Sequence, residues 1–164
     1  MTAVGSREPP RSATASDARV VAACEPFHRE FNLPSSGVAV LSARLDHLLG
    51  ARDPLALLAG EPAVAVELLT LRSNVWSDGP VGLLDELYVV PAQRGQGIGT
   101  RLLKAAEVAC RARGADLMEI NVDGEDGGAR RFYERHGYAD RDPGQSQPQL
   151  YYSRELASET EERA

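Results

Sequence analysis

Long apolar runs are missing from this 164-residue chain. No stretch can cross a bilayer as a helix, and the N-terminus lacks the apolar centre of a secretory signal, so a cytoplasmic protein with no membrane partner is expected. A basic excess is missing as well. Lys and Arg number 18 against 24 Asp and Glu, a net charge of −6, which argues against nucleic acid held on a basic surface. The same balance mildly favours a cationic ligand. Cysteine is scarce: Cys24 and Cys110 fall in predicted helices without metal-ligand spacing, so reduced, buried thiols are expected rather than a disulfide framework. His28, His47 and His136 are scattered, and no metal is expected. There is no internal repeat. What remains, 43% hydrophobic and 26% charged residues, suits one domain with a sizeable core and is too short for two.

Residues 1–16, with Pro9, Pro10 and few large apolar side chains, read as a tail with a short strand near Arg11–Thr14. A single domain is expected over 17–156, followed by an acidic tail at 157–164. Asp17 can cap a helix over Ala18–Phe31 that Pro26 would kink or break. Val38, Leu41, Leu45 and Leu48/Leu49 recur at helical steps, and Gly50 sits where a C-cap glycine would. Leu55–Ala59 and Ala63–Leu71, joined by Gly60-Glu61-Pro62, read as a hairpin. Ser73–Pro80 is a turn. Met118, Ile120 and Val122 alternate with Glu119, Asn121 and Asp123 as in a strand. Asp126 can cap the next helix, whose inward stripe is Ala129, Phe132, Tyr133 and His136 and which Gly137 stops. Further strands are expected at Tyr138–Ala139 and Leu150–Leu156. This order predicts an α/β (α+β) fold, a mixed sheet with helices on both faces.

The chain is organised around Leu83–Gly114. Leu83–Val90 is apolar on both faces, as in a central strand, and Pro91 ends it because proline has no N–H for a ladder. Next comes Arg94-Gly95-Gln96-Gly97-Ile98-Gly99-Thr100. Beyond it Ile98, Leu102, Ala106 and Ala109 form an apolar helical stripe opposite Arg101, Lys104, Glu107 and Arg111. Glycines at a strand-to-helix junction let a ligand approach backbone N–H groups that a helix start leaves unpaired, with the macrodipole adding positive character. That is a seat for a phosphate or pyrophosphate. No Gly-Lys-Ser/Thr follows, so it is not a Walker loop. Counted from Gly95, the third glycine of a dinucleotide fingerprint would fall on Thr100, so it is not that either.

Arg-x-x-Gly-x-Gly after a strand ending Leu-Tyr-Val-Val-Pro resembles motif A of the GNAT superfamily, the acyl-CoA-dependent N-acetyltransferases. The resemblance spans about Asp53–Leu156 and implies a GNAT fold, with a mostly antiparallel mixed sheet. It implies acetyl-CoA as co-substrate, its diphosphate on Arg94, Gly95, Gln96, Gly97, Ile98, Gly99 and Thr100. The pantetheine arm would lie along the backbone of Leu87, Tyr88, Val89 and Val90, which supposes that this strand splays from the next. A homodimer is in keeping with many relatives.

Acyl transfer to an amine also needs a proton acceptor, because a free amine with a pKa near ~10 is mostly protonated at neutral pH. Asp85 and Glu86 are adjacent in the strand and point to opposite faces by simple alternation. In spermidine/spermine acetyltransferases an acidic residue stands where Asp85 does; a bulge would give the place to Glu86. Glu119 is a further candidate. Tyr133, in Ala-Arg-Arg-Phe-Tyr-Glu-Arg-His-Gly-Tyr, matches the motif B tyrosine near the coenzyme sulfur and is the expected acid for the thiolate. Asp126 takes the place of an asparagine that bonds the pantetheine arm. Trp76 and Asp78 are expected to line the acceptor pocket. The implied activity is acetylation of a primary amine of a small cationic molecule. A protein N-terminus or lysine as acceptor, or a non-catalytic acyl-CoA-binding module, are the alternatives.

Overall fold

The apolar runs on either side of the glycine-rich turn become one sheet. In the computed structural model the described residues are 8–14, 17, 37–50, 55–154 and 156, in two units, Met1–Ile120 and Asn121–Ala164. The first unit holds β1 (Arg11–Ser12), α1 (Val38–Gly50), β2 (Leu55–Ala59), β3 (Ala65–Arg72), β4 (Val81–Val89), a 3-10 turn at Pro91–Gln93, α2 (Ile98–Arg111) and β5 (Leu117–Ile120). Strand order follows chain order, β1-β2-β3-β4-β5. Neighbours are antiparallel except β4 and β5, which run parallel. The mixed, mostly antiparallel sheet expected from the sequence is therefore present.

Helices cover both of its faces. On one, Leu45 of α1 meets Leu58, Val66 and Tyr88, with Leu41, Leu49, Leu68 and Val90 at the margin. On the other, Ile98, Leu102, Leu103, Ala106 and Cys110 of α2 are buried. Burying five such side chains contributes on the order of 1.5–3 kcal/mol for each large one. Closeness is enforced at Gly82, where an added Cβ would lie 2.7 Å from the Cys110 sulfur.

Several boundaries move. β4 begins at Val81 rather than Leu83 and ends at Val89; β3 covers Ala65–Arg72 rather than Ala63–Leu71; β5 stops at Ile120, short of Val122. The α2 stripe turns toward Leu103 and Cys110, leaving Ala109 only half-buried. In α1 the sheet-facing series is Leu41, Leu45 and Leu49, one helical turn apart, and Leu48 is exposed. Gly50 is the last residue of α1 and keeps a negative φ, so it is not a left-handed cap. The helix expected over 18–31, with Cys24, lies outside the described residues.

The second unit is built on α3 (Gly127–Arg135). No strand forms at 138–139 or at the described positions of 150–156, contrary to expectation. A strand needs a ladder as well as a suitable composition. Here the chain instead closes a loop through the Gln149 N–H, which donates to the Asp140 carbonyl at 2.7 Å. Leu150, Tyr151, Tyr152 and Leu156 are all exposed.

Candidate active site

The turn after β4 has the form its glycines permit. Gly95 and Gly97 have φ of +75° and +74°, a region costly to side-chain-bearing residues. Gly97 is the N-cap of α2, and no side chain caps the helix. Among the described residues, the N–H groups of Gly95, Gln96 and Gly97 make no backbone hydrogen bond. Nothing lies within 4 Å of a Cβ built on Gly95. Open space, unbonded amides and the positive end of a 14-residue helix coincide, which is the physical requirement for a diphosphate seat. Arg94 serves the turn itself: its Nε donates to the Val89 carbonyl at 2.9 Å, and its guanidinium stands 5.6 Å from the centre of the Tyr88 ring. The Arg101 side chain donates back to the Gln96 carbonyl at 3.4 Å.

The ladder between β4 and β5 covers only Val81–Leu84 and Leu117–Ile120. Pairing with β3 continues to Val89. From Asp85 onward β4 therefore has a neighbour on one side only within this sheet. That is the geometry an extended amide-bearing arm would need alongside Leu87, Tyr88, Val89 and Val90.

Opposite α2, the sheet face collects the acidic pair. Gly82 faces α2, so Val81 and Leu83, its neighbours in an alternating strand, face away from it. Through the register, Arg72 and Thr70 of β3 and Leu117 and Glu119 of β5 share that side. A bulge then interrupts alternation: Leu69 pairs with Leu84 and Leu68 with Glu86, leaving Asp85 without a partner. The bulge carries both carboxylates to one side. Asp85 accepts a 2.5 Å hydrogen bond from the Thr70 hydroxyl. Glu86 stands opposite Leu68, which packs on the α1-side core. The two acids do not share one environment. Asp85 is exposed, whereas Glu86 is partly buried. Burial, and then the charge of Asp85, push the Glu86 carboxyl up to about 7. Glu119 is engaged in an ion pair with Arg72.

At the far end of that face the 73–80 loop is pinned by Asn74. Its Oδ1 accepts from the Trp76 and Ser77 N–H groups at 2.7 and 3.0 Å, and its Nδ2 donates to the Ser77 hydroxyl at 2.7 Å. Trp76 is 94% exposed and helps line a cavity of about 360 Å³. Asp78 is exposed and does not line it. A wider cavity of about 700 Å³ along the outer face of α1 contains none of the predicted residues.

In the second unit Asp126 caps α3, its Oδ1 accepting from the Gly128 and Ala129 N–H groups at 3.0 and 2.8 Å. The carboxylate thus satisfies two of the donors that a helix start leaves open. Ala129, Phe132, Tyr133 and His136 are half-buried rather than fully inward. The Tyr133 ring packs edge-on against Phe132 at 5.1 Å and Tyr138 at 5.9 Å. His136 Nδ1 lies 2.7 Å from the Phe132 carbonyl, which marks it as structural.

Thr70, Arg72 and Asp116 were not singled out by sequence. Only the strand register brings Thr70 to Asp85. No helix among the described residues is long and apolar enough to cross a membrane, and no three His, Cys, Asp or Glu side chains among them could jointly hold a metal ion.

The profile of the acetyltransferase (GNAT) family matches residues 24–138. A crystal structure from Arthrobacter sp. FB24, solved as a candidate acetyltransferase, matches with a TM-score of 0.85 and 48% identity over 95% of this chain and 99% of that one. YhfO of Bacillus subtilis, an uncharacterized N-acetyltransferase, is 32% identical over 131 residues, 78% of this chain and 87% of its own length. Aminoalkylphosphonate N-acetyltransferase of Salmonella typhimurium is 39% identical over 84 residues, 51% of this chain; the match spans only about half of that protein, 54%.

Proposed function

Because the chain belongs to the GNAT family of acetyltransferases, we propose that it moves the acetyl group of acetyl-CoA onto a primary amine of a small cationic molecule, with Glu86 as general base. The observation that carries this assignment is the bulge at Asp85, which puts the partly buried Glu86 on the face opposite α2. A carboxyl at about 7 is matched to accepting a proton near neutral pH, where an ordinary glutamate would be too weak a base. Asp85, fixed by Thr70, acts on Glu86 through its charge. This gives Glu86 the place that the resemblance to spermidine/spermine acetyltransferases gave to Asp85.

The diphosphate is held by the N–H groups of Gly95, Gln96 and Gly97, and by the first turn of α2 through Ile98, Gly99 and Thr100. Arg94 braces this turn against the end of β4. The edge of β4 that faces away from β3, along Leu87–Val90, aligns the pantetheine arm and offers N–H groups to the oxyanion that forms on attack. The amine nitrogen bonds to the thioester carbon and its proton passes to Glu86. The carbon–sulfur bond breaks, and Tyr133 supplies a proton to the departing thiolate. Asp126 contributes by fixing the start of the helix that bears Tyr133. The aminoalkylphosphonate acetyltransferase that resembles part of this chain acts, by its name, on an amine of a small molecule, which supports a small-molecule amine as acceptor and does not bear on its being cationic.

The test is the pH profile of kcat/KM with acetyl-CoA and a panel of primary amines. A raised pKa means the base is lost as pH falls, so activity should decline below about 7. Glu86→Gln should lower kcat by roughly 10²–10⁴ and remove that limb, while Asp85→Asn should shift the limb to lower pH. A Glu86→Gln enzyme with the wild-type rate and profile would overturn the assignment.

A further inference from the structure

The cavity at the far end of the acidic face contains chemistry that acyl transfer itself does not use. Arg72, Trp76, Val81, Asp116, Leu117 and Glu119 line it. Arg72 is neutralised by its ion pair with Glu119, which leaves Asp116 as the uncompensated charge. Neither the Asp116 carboxylate nor the Trp76 indole N–H has a hydrogen-bond partner among the described residues. The tryptophan is no packed turn residue, since it is almost wholly exposed on a loop whose backbone Asn74 fixes. Gly79 of the same loop lies so close to the Gly114 carbonyl oxygen that a Cβ there would approach it to 1.9 Å. An aromatic face held open beside a carboxylate suits an ammonium group, attracted by the ring quadrupole and by the charge. An anionic ligand would meet Asp116 and find Arg72 already engaged.

The cavity and the acidic pair lie on one side of the sheet. Arg72 is two residues along β3 from Thr70, which bonds Asp85, and four from Leu68, which stands opposite Glu86. At about 3.3 Å per residue these steps are roughly 7 and 13 Å. We infer that the cavity seats a second ammonium group of the acceptor, so that the preferred substrates are diamines or longer polycations with nitrogens about 7–13 Å apart. This rests on the acyl-transfer assignment above, with Glu86 at the reacting nitrogen.

The experiment compares extended α,ω-diamines of graded length with monoamines of equal length that end in an uncharged group. Diamines within the spacing window should show kcat/KM about tenfold or more above the matched monoamines, through KM. Trp76→Ala and Asp116→Asn should each bring that ratio toward one. Val75→Ala, an exposed neighbour outside the cavity, should keep it. Trp76 is the chain's only tryptophan, so its fluorescence reads the cavity without turnover. A diamine should change it saturably in the absence of acetyl-CoA, and Asp116→Asn should raise the apparent Kd. If amines are acetylated but diamines and monoamines are equivalent, or the fluorescence ignores diamines, the subsite is refuted and acyl transfer stands. If diamines saturate the fluorescence change but no amine is acetylated, the subsite survives and the acyl-transfer assignment falls.

Discussion

Glu67 should make this fold weaken as pH rises. Its side chain is fully buried on β3, and neither carboxyl oxygen has a hydrogen-bond partner among the described residues. Burial, with a smaller contribution from the charge of Glu107 on α2, pushes its pKa from the ordinary 4.5 up to about 8. Between those values the folded protein keeps a proton that the unfolded chain releases. The unfolded state then binds fewer protons than the native one, so stability declines with each unit of pH. The protonated carboxyl's contribution is fully present below about 4.5 and lost as pH passes through about 8. At 1.36 kcal/mol per unit, the full difference is on the order of 4–5 kcal/mol, a large share of the 5–15 kcal/mol typical of a domain. Glu67→Gln keeps the size and removes the titration. Urea unfolding of both proteins from pH 5 to 9 isolates the effect, because other titrating groups largely cancel in the difference. Near pH 5 the two should be within about 1 kcal/mol; by pH 9 the glutamine variant should be the more stable by several kcal/mol. Cys110 gives a second signal. Burial first, and Glu67 next, push its thiol upward, so the variant's thiol should ionise at lower pH and react faster with an alkylating reagent. A stability difference that stays flat across this range would refute the reasoning.

Gly79→Ala should destabilise by about 1–3 kcal/mol or more, because its Cβ would run into backbone at Gly114 and not into a movable side chain; chemical denaturation measures it. Gly97→Glu should lower acetyl-CoA affinity at least about tenfold by calorimetry, since it places an anion at the seat of a diphosphate. The positive φ there adds a folding cost of roughly 1–3 kcal/mol. Asp126→Ala removes a cap that serves two N–H groups and should cost about 0.5–2 kcal/mol by thermal or urea unfolding, while Asp126→Asn should recover most of it.

The legible parts of the sequence were those fixed by neighbours along the chain. Pro91 stops a strand because of its own ring, Gly95 and Gly97 permit a turn because of their own φ, and Asp126 caps a helix by accepting from N–H groups two and three residues ahead. Such causes operate within a few positions, so a string of residues displays them. Leu150–Leu156 shows the opposite case. Its apolar, aromatic composition suggested a strand, but a strand exists through a partner's hydrogen bonds, and no ladder forms among its described residues. Glu67 is another. A lone acid in an apolar run looks like a solvated alternate position, yet β3 lies between two neighbouring strands and under α2, so the carboxyl is sealed in.

The acidic pair shows why a site can be half readable. Asp85 and Glu86 were both visible as candidates, and alternation gave them opposite faces. That rule fails at one step, where Leu68 pairs with Glu86 and Leu69 with Leu84. The slip is a property of two strands together; nothing in Leu84-Asp85-Glu86-Leu87 alone announces it. Its consequence is chemical. With regular alternation the acids would lie on opposite faces of the sheet, and Asp85 would act on Glu86 only through the strand. With the slip they share a face, the exposed aspartate is tied to Thr70, and its charge helps hold the more buried glutamate's proton until near neutrality. A single unpaired residue in β4 thereby turns two ordinary carboxylates into an anchored charge and a tuned base.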